Sequence, residues 1–186
     1  MTGRASSLQV RRLAIGGGQP GEGMRAVPEE TAVAFVYDGG SEAVMMASPA
    51  DLEDFAIGFS LNEGIITDLA QIERMEQFDT DLGIEMRLWL SAGLSARLSA
   101  RRRHRAGPTG CGLCGVESLE DALPKLAKID SAVVVSASEV IAAMAQMAEL
   151  QSLNRQTRAV HAAGFYRPGQ GVVLVREDVG RHNALD

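Results

Sequence analysis

The clearest hydrophobic pattern in the chain is Thr31–Tyr37, a run of small, β-branched and aromatic residues that predicts a strand. Asp38-Gly39-Gly40-Ser41 supplies a turn, and residues 42–47 read as the returning strand of a hairpin. A helix should follow, with Ser48 as its cap, Pro49 at its first position and Asp51 completing an S-x-x-D arrangement. Leu52, Phe55, Ala56 and Phe59 recur at helical spacing, and Gly64 offers the stop. Phe55 and Phe59 at that spacing are expected in the core. Residues 82–90 alternate as a strand, with Trp89 near its end.

Farther along, Ser118 and Asp121 predict the start of a short helix that Pro124 interrupts or restarts. Residues 132–135 form a β-branched run expected as a buried strand. Ser136 and Glu139 make a capping box opening a helix to about Leu150. Val140, Ile141, Met144, Met147 and Ala148 share its apolar side, with the methionines as core filler. After residues 157–163, a glycine- and proline-containing turn at 168–171 leads into a strand at 172–175. The N-terminal half thus reads as a β-hairpin plus helix, and the C-terminal half as an α/β layer. The expected organisation is a flexible leader over residues 1–25, a β/α region over 26–100, a mobile basic loop over 101–117 and an α/β domain over 118–186.

At 186 residues the chain is long enough to bury a core. Its net charge of -6 argues against a nucleic-acid binder, although four arginines crowd into residues 101–105. Such a local patch suits a phosphorylated small ligand or an acidic partner, or is simply a solvated loop. No apolar run approaches the length of a membrane span and no signal-peptide pattern opens the chain, so a cytoplasmic setting without membrane contact is expected.

Both cysteines lie in Thr109-Gly110-Cys111-Gly112-Leu113-Cys114-Gly115, directly behind the arginine run. Neighbouring cations favour the thiolate, the reactive form. A structural zinc site would need two more ligands, and only His104, His161 and His182 could help supply them. A thioredoxin-like motif belongs at a helix start, whereas glycines on both sides of and between these cysteines favour an extended arm. Such an arm suits sulfur relay, in which one thiolate carries a sulfane sulfur and a second resolves it. The cluster Arg176-Glu177-Asp178-Val179-Gly180-Arg181-His182-Asn183 follows the last strand, where α/β folds bind ligands. It is otherwise a charged surface loop.

These two motifs, with Asp54-Phe55-Ala56-Ile57-Gly58-Phe59 and Glu63-Gly64-Ile65-Ile66, resemble the formate dehydrogenase accessory sulfurtransferase (FdhD) family from about Glu29 onward. The resemblance implies a carrier that moves sulfur from a cysteine desulfurase to the molybdenum (or tungsten) bis-pyranopterin guanine dinucleotide cofactor, ahead of its insertion into formate dehydrogenase. By position, Cys111 matches the family's persulfide-bearing cysteine and Cys114 its partner. Arg176, Asp178, Arg181, His182, Asn183 and His161 are the candidates for holding the cofactor; no resident metal ion is expected. The implied main domain is similar to the cytidine deaminase fold, a three-layer α/β (α+β) arrangement, and a homodimer is expected. Where the family reads T-G-G-x-H-A-A, this chain has Thr157-Arg158-Ala159-Val160-His161-Ala162-Ala163, with a bulky cation in place of a glycine. The family also continues for several tens of residues past the position of Asp186, so the expected domain is C-terminally truncated. Nucleoside deamination needs H-x-E before P-C-x-x-C, and here alanine follows His161 and the cysteines precede it. A non-catalytic cofactor chaperone, its CxxC structural or zinc-binding, is the alternative to the carrier.

Overall fold

The computed structural model describes residues 5–12, 21–94, 98 and 128–186. Strands β1 (Ala5–Arg12) and β2 (Gly21–Pro28) pair antiparallel, with Ala5 opposite Pro28 and Arg12 opposite Gly21. At residues 5–12 and 21–25 this corrects the expectation of a flexible leader over residues 1–25, with order starting near Val27. The glycine clusters mask two strands that are only weakly apolar and owe their place to each other and to packing from the C-terminal half.

The central sheet has the order β4-β3-β6-β5, formed by β3 (Thr31–Tyr37), β4 (Gly40–Ala47), β5 (Ile72–Thr80) and β6 (Gly83–Leu90). β3 and β4 form the expected hairpin, and β3 pairs with β6 in parallel. Alternation puts Val33, Phe35, Tyr37, Met86, Leu88 and Leu90 on one face, all buried. Helix α1 (Leu52–Asn62) covers that face. Phe35 stacks on Phe59 at 4.7 Å between ring centroids and meets Phe55 edge-on at 4.9 Å. Burying one such ring contributes about 1.5–3 kcal/mol. The Tyr37 hydroxyl is satisfied within the core by Ser60 Oγ at 2.7 Å. β5 escapes a simple pattern because it is an edge strand with charges on its exposed side. A register irregularity between Ile72 and Arg74 lets Ile72 and Met75 both pack against the core.

The start of α1 differs from expectation. Asp51 is its cap residue, in the left-handed region at φ 51°, and makes no side-chain capping bond. Ser48 is buried and bonded elsewhere. The end is as expected: Gly64 takes φ +63°, which lets the Ile65 N–H reach Ser60 O at 2.9 Å.

The C-terminal part comprises α2 (Ala137–Leu150), α3 (Ser152–Thr157), β7 (His161–Arg167), β8 (Gly171–Asp178) and α4 (Arg181–Leu185). β7 and β8 are an antiparallel pair with His161 opposite Asp178. α2 and α4 pack on this pair, and α3 packs on β1 and β2. The capping box of α2 forms as predicted, with the Glu139 N–H donating to Ser136 Oγ at 3.2 Å and the Ser136 N–H to Glu139 Oε2 at 2.8 Å. Two expectations fail here. Residues 132–135 form no strand and Val134 is 87 % exposed. Val140, Ile141 and Met144 are also exposed; of the apolar side, Met147 is the one turned toward Gly164 of the hairpin. Among the described residues, nothing lies over the rest of that face.

Candidate functional site

β8 ends in Arg176-Glu177-Asp178, and strand alternation sends Arg176 and Asp178 to one side and Glu177 to the other. Arg176 reaches α1. Its Nε donates to Asp54 Oδ2 at 2.7 Å, its Nη2 donates to the same oxygen, and Asp51 Oδ2 lies 3.8 Å away. With one-third to one-half of these side chains in water, the pair contributes at most about 1 kcal/mol.

Glu177 serves the opposite side. It accepts the N–H groups of Leu153 at 2.8 Å and Asn154 at 2.7 Å, with the Ser152 hydroxyl at 3.4 Å. These belong to the first turn of α3, which has no side-chain cap of its own. A carboxylate from another strand thus satisfies amides that a short helix leaves open.

Asp178 is buried and ties the segment after β8 to the end of β4. Its Oδ2 accepts the Ser48 N–H at 2.8 Å; its Oδ1 accepts the Gly180 N–H at 2.6 Å and Asn183 Nδ2 at 2.8 Å. The Ser48 hydroxyl accepts the Val179 N–H at 3.2 Å, and Asn183 Nδ2 also donates to Met46 O at 2.9 Å. Burial raises the Asp178 carboxyl above the ordinary aspartate range and Glu30 adds repulsion, while the Gly180, Ser48 and Asn183 hydrogen bonds pull it down.

α4 grows out of this knot. Gly180 precedes it, and a Cβ there would crowd the Asn183 amide. Ala184 is buried, whereas Arg181 and His182 are exposed. Gly58 lets α1 and α4 approach closely, since a Cβ on it would collide with the Asp186 carbonyl, and Asn62 Nδ2 donates to Asp186 Oδ1 at 2.5 Å. His161 is exposed at the start of β7, opposite Asp178.

The six candidates for cofactor binding therefore fall into two groups. Arg176, Asp178 and Asn183 direct polar atoms at neighbouring elements. Arg181, His182 and His161 present theirs to solvent at the same end of the β7–β8 hairpin. Cys111 and Cys114 lie outside the described residues, as do the 101–105 arginine run, His104 and the helix expected from Ser118. Among the described residues, no group of three or more His, Cys, Asp or Glu side chains is arranged to hold a metal ion. No helix there is long and apolar enough to cross a membrane. A cavity of about 430 Å³ lies over Val36, Gly39, Arg87 and Trp89 and shares no residue with the late motif.

Sequence reasoning missed Ser48 as an anchor and Glu177 as a cap. The available signal for Glu177 was strand alternation, which sets it on the face opposite Arg176 and Asp178.

The model of the FdhD/NarQ family matches residues 28–186. The chain belongs to the FdhD/NarQ family. It is 52% identical over 185 residues to a protein of Agrobacterium fabrum called sulfur carrier protein FdhD, covering 98% of this chain and 68% of that one. A protein of the same name from Brucella abortus is 47% identical over 189 residues, covering 100% of this chain and 70% of the relative. The crystal structure described as a formate dehydrogenase accessory protein from Desulfotalea psychrophila superposes with a TM-score of 0.69 at 21% identity, over 97% of this chain and 65% of that chain. This chain thus spans roughly two thirds of the length of these proteins. Its mixed α/β arrangement of several sheets is an FdhD-like fold. In this FdhD/NarQ member, the two resembling motifs at 54–59 and 176–186 are in contact, through Arg176 with Asp54 and Asp186 with Gly58.

Proposed function

We propose that the chain is a sulfur carrier serving formate dehydrogenase. The supporting observation is its 52% identity, over nearly its whole length, to a protein called a sulfur carrier. The chemistry agrees, because Cys111 and Cys114 are the only two cysteines in the chain. In this reading the Cys111 thiolate attacks the outer sulfur of a persulfide on a cysteine desulfurase. The donor cysteine leaves as thiolate and Cys111 becomes the persulfide, with no net oxidation. Attack by the Cys114 thiolate on the Cys111 sulfur then releases the carried sulfur as sulfide and leaves a Cys111–Cys114 disulfide, which a thiol reductant reopens.

The acceptor in this proposal is the molybdenum or tungsten bis-pyranopterin guanine dinucleotide, as cargo. Its diphosphates accept hydrogen bonds, and the exposed Arg181, His182 and His161 side chains are donors of the matching kind. The Asp178 carboxylate, already turned inward, is unsuited to contact an anion. The same reading places the C-terminal hairpin and helices in a cytidine-deaminase-like layer and the protein in the cytoplasm as a homodimer. Light scattering of the purified protein reads the assembly.

The decisive test is mass spectrometry after incubation with a cysteine desulfurase and cysteine. A gain of one sulfur atom on Cys111 or Cys114 is expected, and its absence overturns the carrier reading. Cys111→Ala separates a carrier from a chaperone: the variant should fail to restore formate dehydrogenase activity, whereas a chaperone with a structural CxxC would still restore it.

A further inference from the structure

We propose that Asp178 and Asn183 are positioning residues that aim Arg181 and His182 at the diphosphate of the cargo, without themselves touching it. This rests on the cofactor reading above and assigns the late motif two distinct tasks. One oxygen of Asp178 holds the N–H of Gly180, which begins the turn into α4, and the Asn183 side chain, which lies one helical step further on. Its other oxygen holds the Ser48 N–H at the end of β4, and Asn183 grips Met46 O on that same strand. The base of α4 is therefore fixed to two elements by four hydrogen bonds of 2.6–2.9 Å. Ala184 is buried beneath it.

The first turn of α4 is anchored at its base by Asp178 and Asn183. The direction of its exposed side chains is set by what holds its base. With Asp178, Asn183 and Ala184 facing inward, residues 181 and 182 are left outward, and both are exposed. The pairing of β7 with β8 brings His161 to the same end. Two imidazoles and one guanidinium thus lie exposed at one end of the hairpin, while the Asp178 carboxylate is turned inward onto Ser48, Gly180 and Asn183. Removing the knot frees α4 to rotate or fray, so that Arg181 and His182 lose their fixed direction while Cys111 and Cys114 keep their chemistry.

The test measures binding of guanosine diphosphate, a fragment of the proposed cargo, by calorimetry to the purified chain, alongside persulfide loading by a cysteine desulfurase. Arg181→Ala, a direct contact, should weaken binding on the order of tenfold. Asp178→Asn removes the charge and one acceptor. It should weaken binding by a similar factor, leave persulfide loading unchanged and add nothing further in the Arg181→Ala background. Should Asp178→Asn not fold, Asn183→Ala loosens the same helix while keeping the carboxylate, and the same non-additivity is expected. The three histidines make proton NMR a second readout: the ligand should shift the His182 resonance in the wild type and not in Asp178→Asn. If the wild type does not bind guanosine diphosphate, the cofactor reading fails and this proposal with it. If the wild type binds and Arg181→Ala binds less, but Asp178→Asn and Asn183→Ala bind as the wild type or weaken binding additively, positioning is overturned and the cofactor reading stands.

Discussion

The carboxylate of Asp178 accepts the backbone N–H of Ser48 at 2.8 Å across 130 residues of chain, and the Ser48 hydroxyl accepts the N–H of Val179 in return. This reciprocal pair joins the end of β4 to the end of β8. Ser48→Ala should keep the first bond and lose the second, leaving a half-buried amide without its acceptor. The expected cost is about 1–2 kcal/mol, read from urea denaturation. A change within about 0.3 kcal/mol would show that water replaces the hydroxyl.

The raised pKa of Asp178, caused first by burial, has an unusual sign for stability. The folded state holds this proton more tightly than the unfolded chain does. Its contribution is full below the ordinary value of 3.8 and is lost as pH rises through the raised folded value. Between these two values, acidification should stabilise the protein through this group. Comparing denaturation midpoints of wild type and Asp178→Asn across the acid range isolates the component, which should vanish in the variant.

Arg158 ends α3 in the left-handed conformation, at φ 54°. A side chain is disfavoured there by roughly 1–2 kcal/mol, while glycine gives back part of that as freedom in the unfolded chain. Arg158→Gly should therefore stabilise by about 0.5–1 kcal/mol, seen as a higher melting temperature. A lower one would show that the Arg158 side chain makes up for its backbone.

Gly58 sits inside α1, where replacing glycine by alanine ordinarily gains about 1 kcal/mol of helix propensity. Here the added methyl would collide with the Asp186 backbone. Gly58→Ala should thus destabilise the chain and increase proteolytic cleavage near α4. A stabilised variant would show that α4 moves aside without cost.

Phe35 and Ile141 should behave oppositely although both are large and apolar. Phe35 is fully buried between Phe55 and Phe59, and Phe35→Ala should cost about 3–5 kcal/mol. Ile141 is 71 % exposed, and Ile141→Ala should change stability by no more than about 0.5 kcal/mol. Chemical denaturation of the two variants checks the contrast.

The sequence by itself determined what depends on neighbours in the chain. The alternation in β3, the 3.6-residue spacing of Phe55 and Phe59, the Gly64 stop and the Ser136–Glu139 capping box are local, and each forms as read. The cysteine pair and the late motif were equally legible and led to the family that the comparisons show. Tertiary structure decided what depends on partners distant in sequence. Ser48 and Pro49 look like a helix start, yet the buried Ser48 hydroxyl accepts the Val179 N–H and its own N–H goes to Asp178, so it caps the β8 end instead of α1. β1 and β2 carry too little apolar signal to be read alone and become strands because each supplies the other's hydrogen bonds. The run at 132–135 carries a strand's composition without a strand's partner, and remains exposed. Within the late motif, residue types revealed a charged cluster. Only the packing of α1, α3 and α4 around β8 separated the groups that brace it from Arg181 and His182, which face outward.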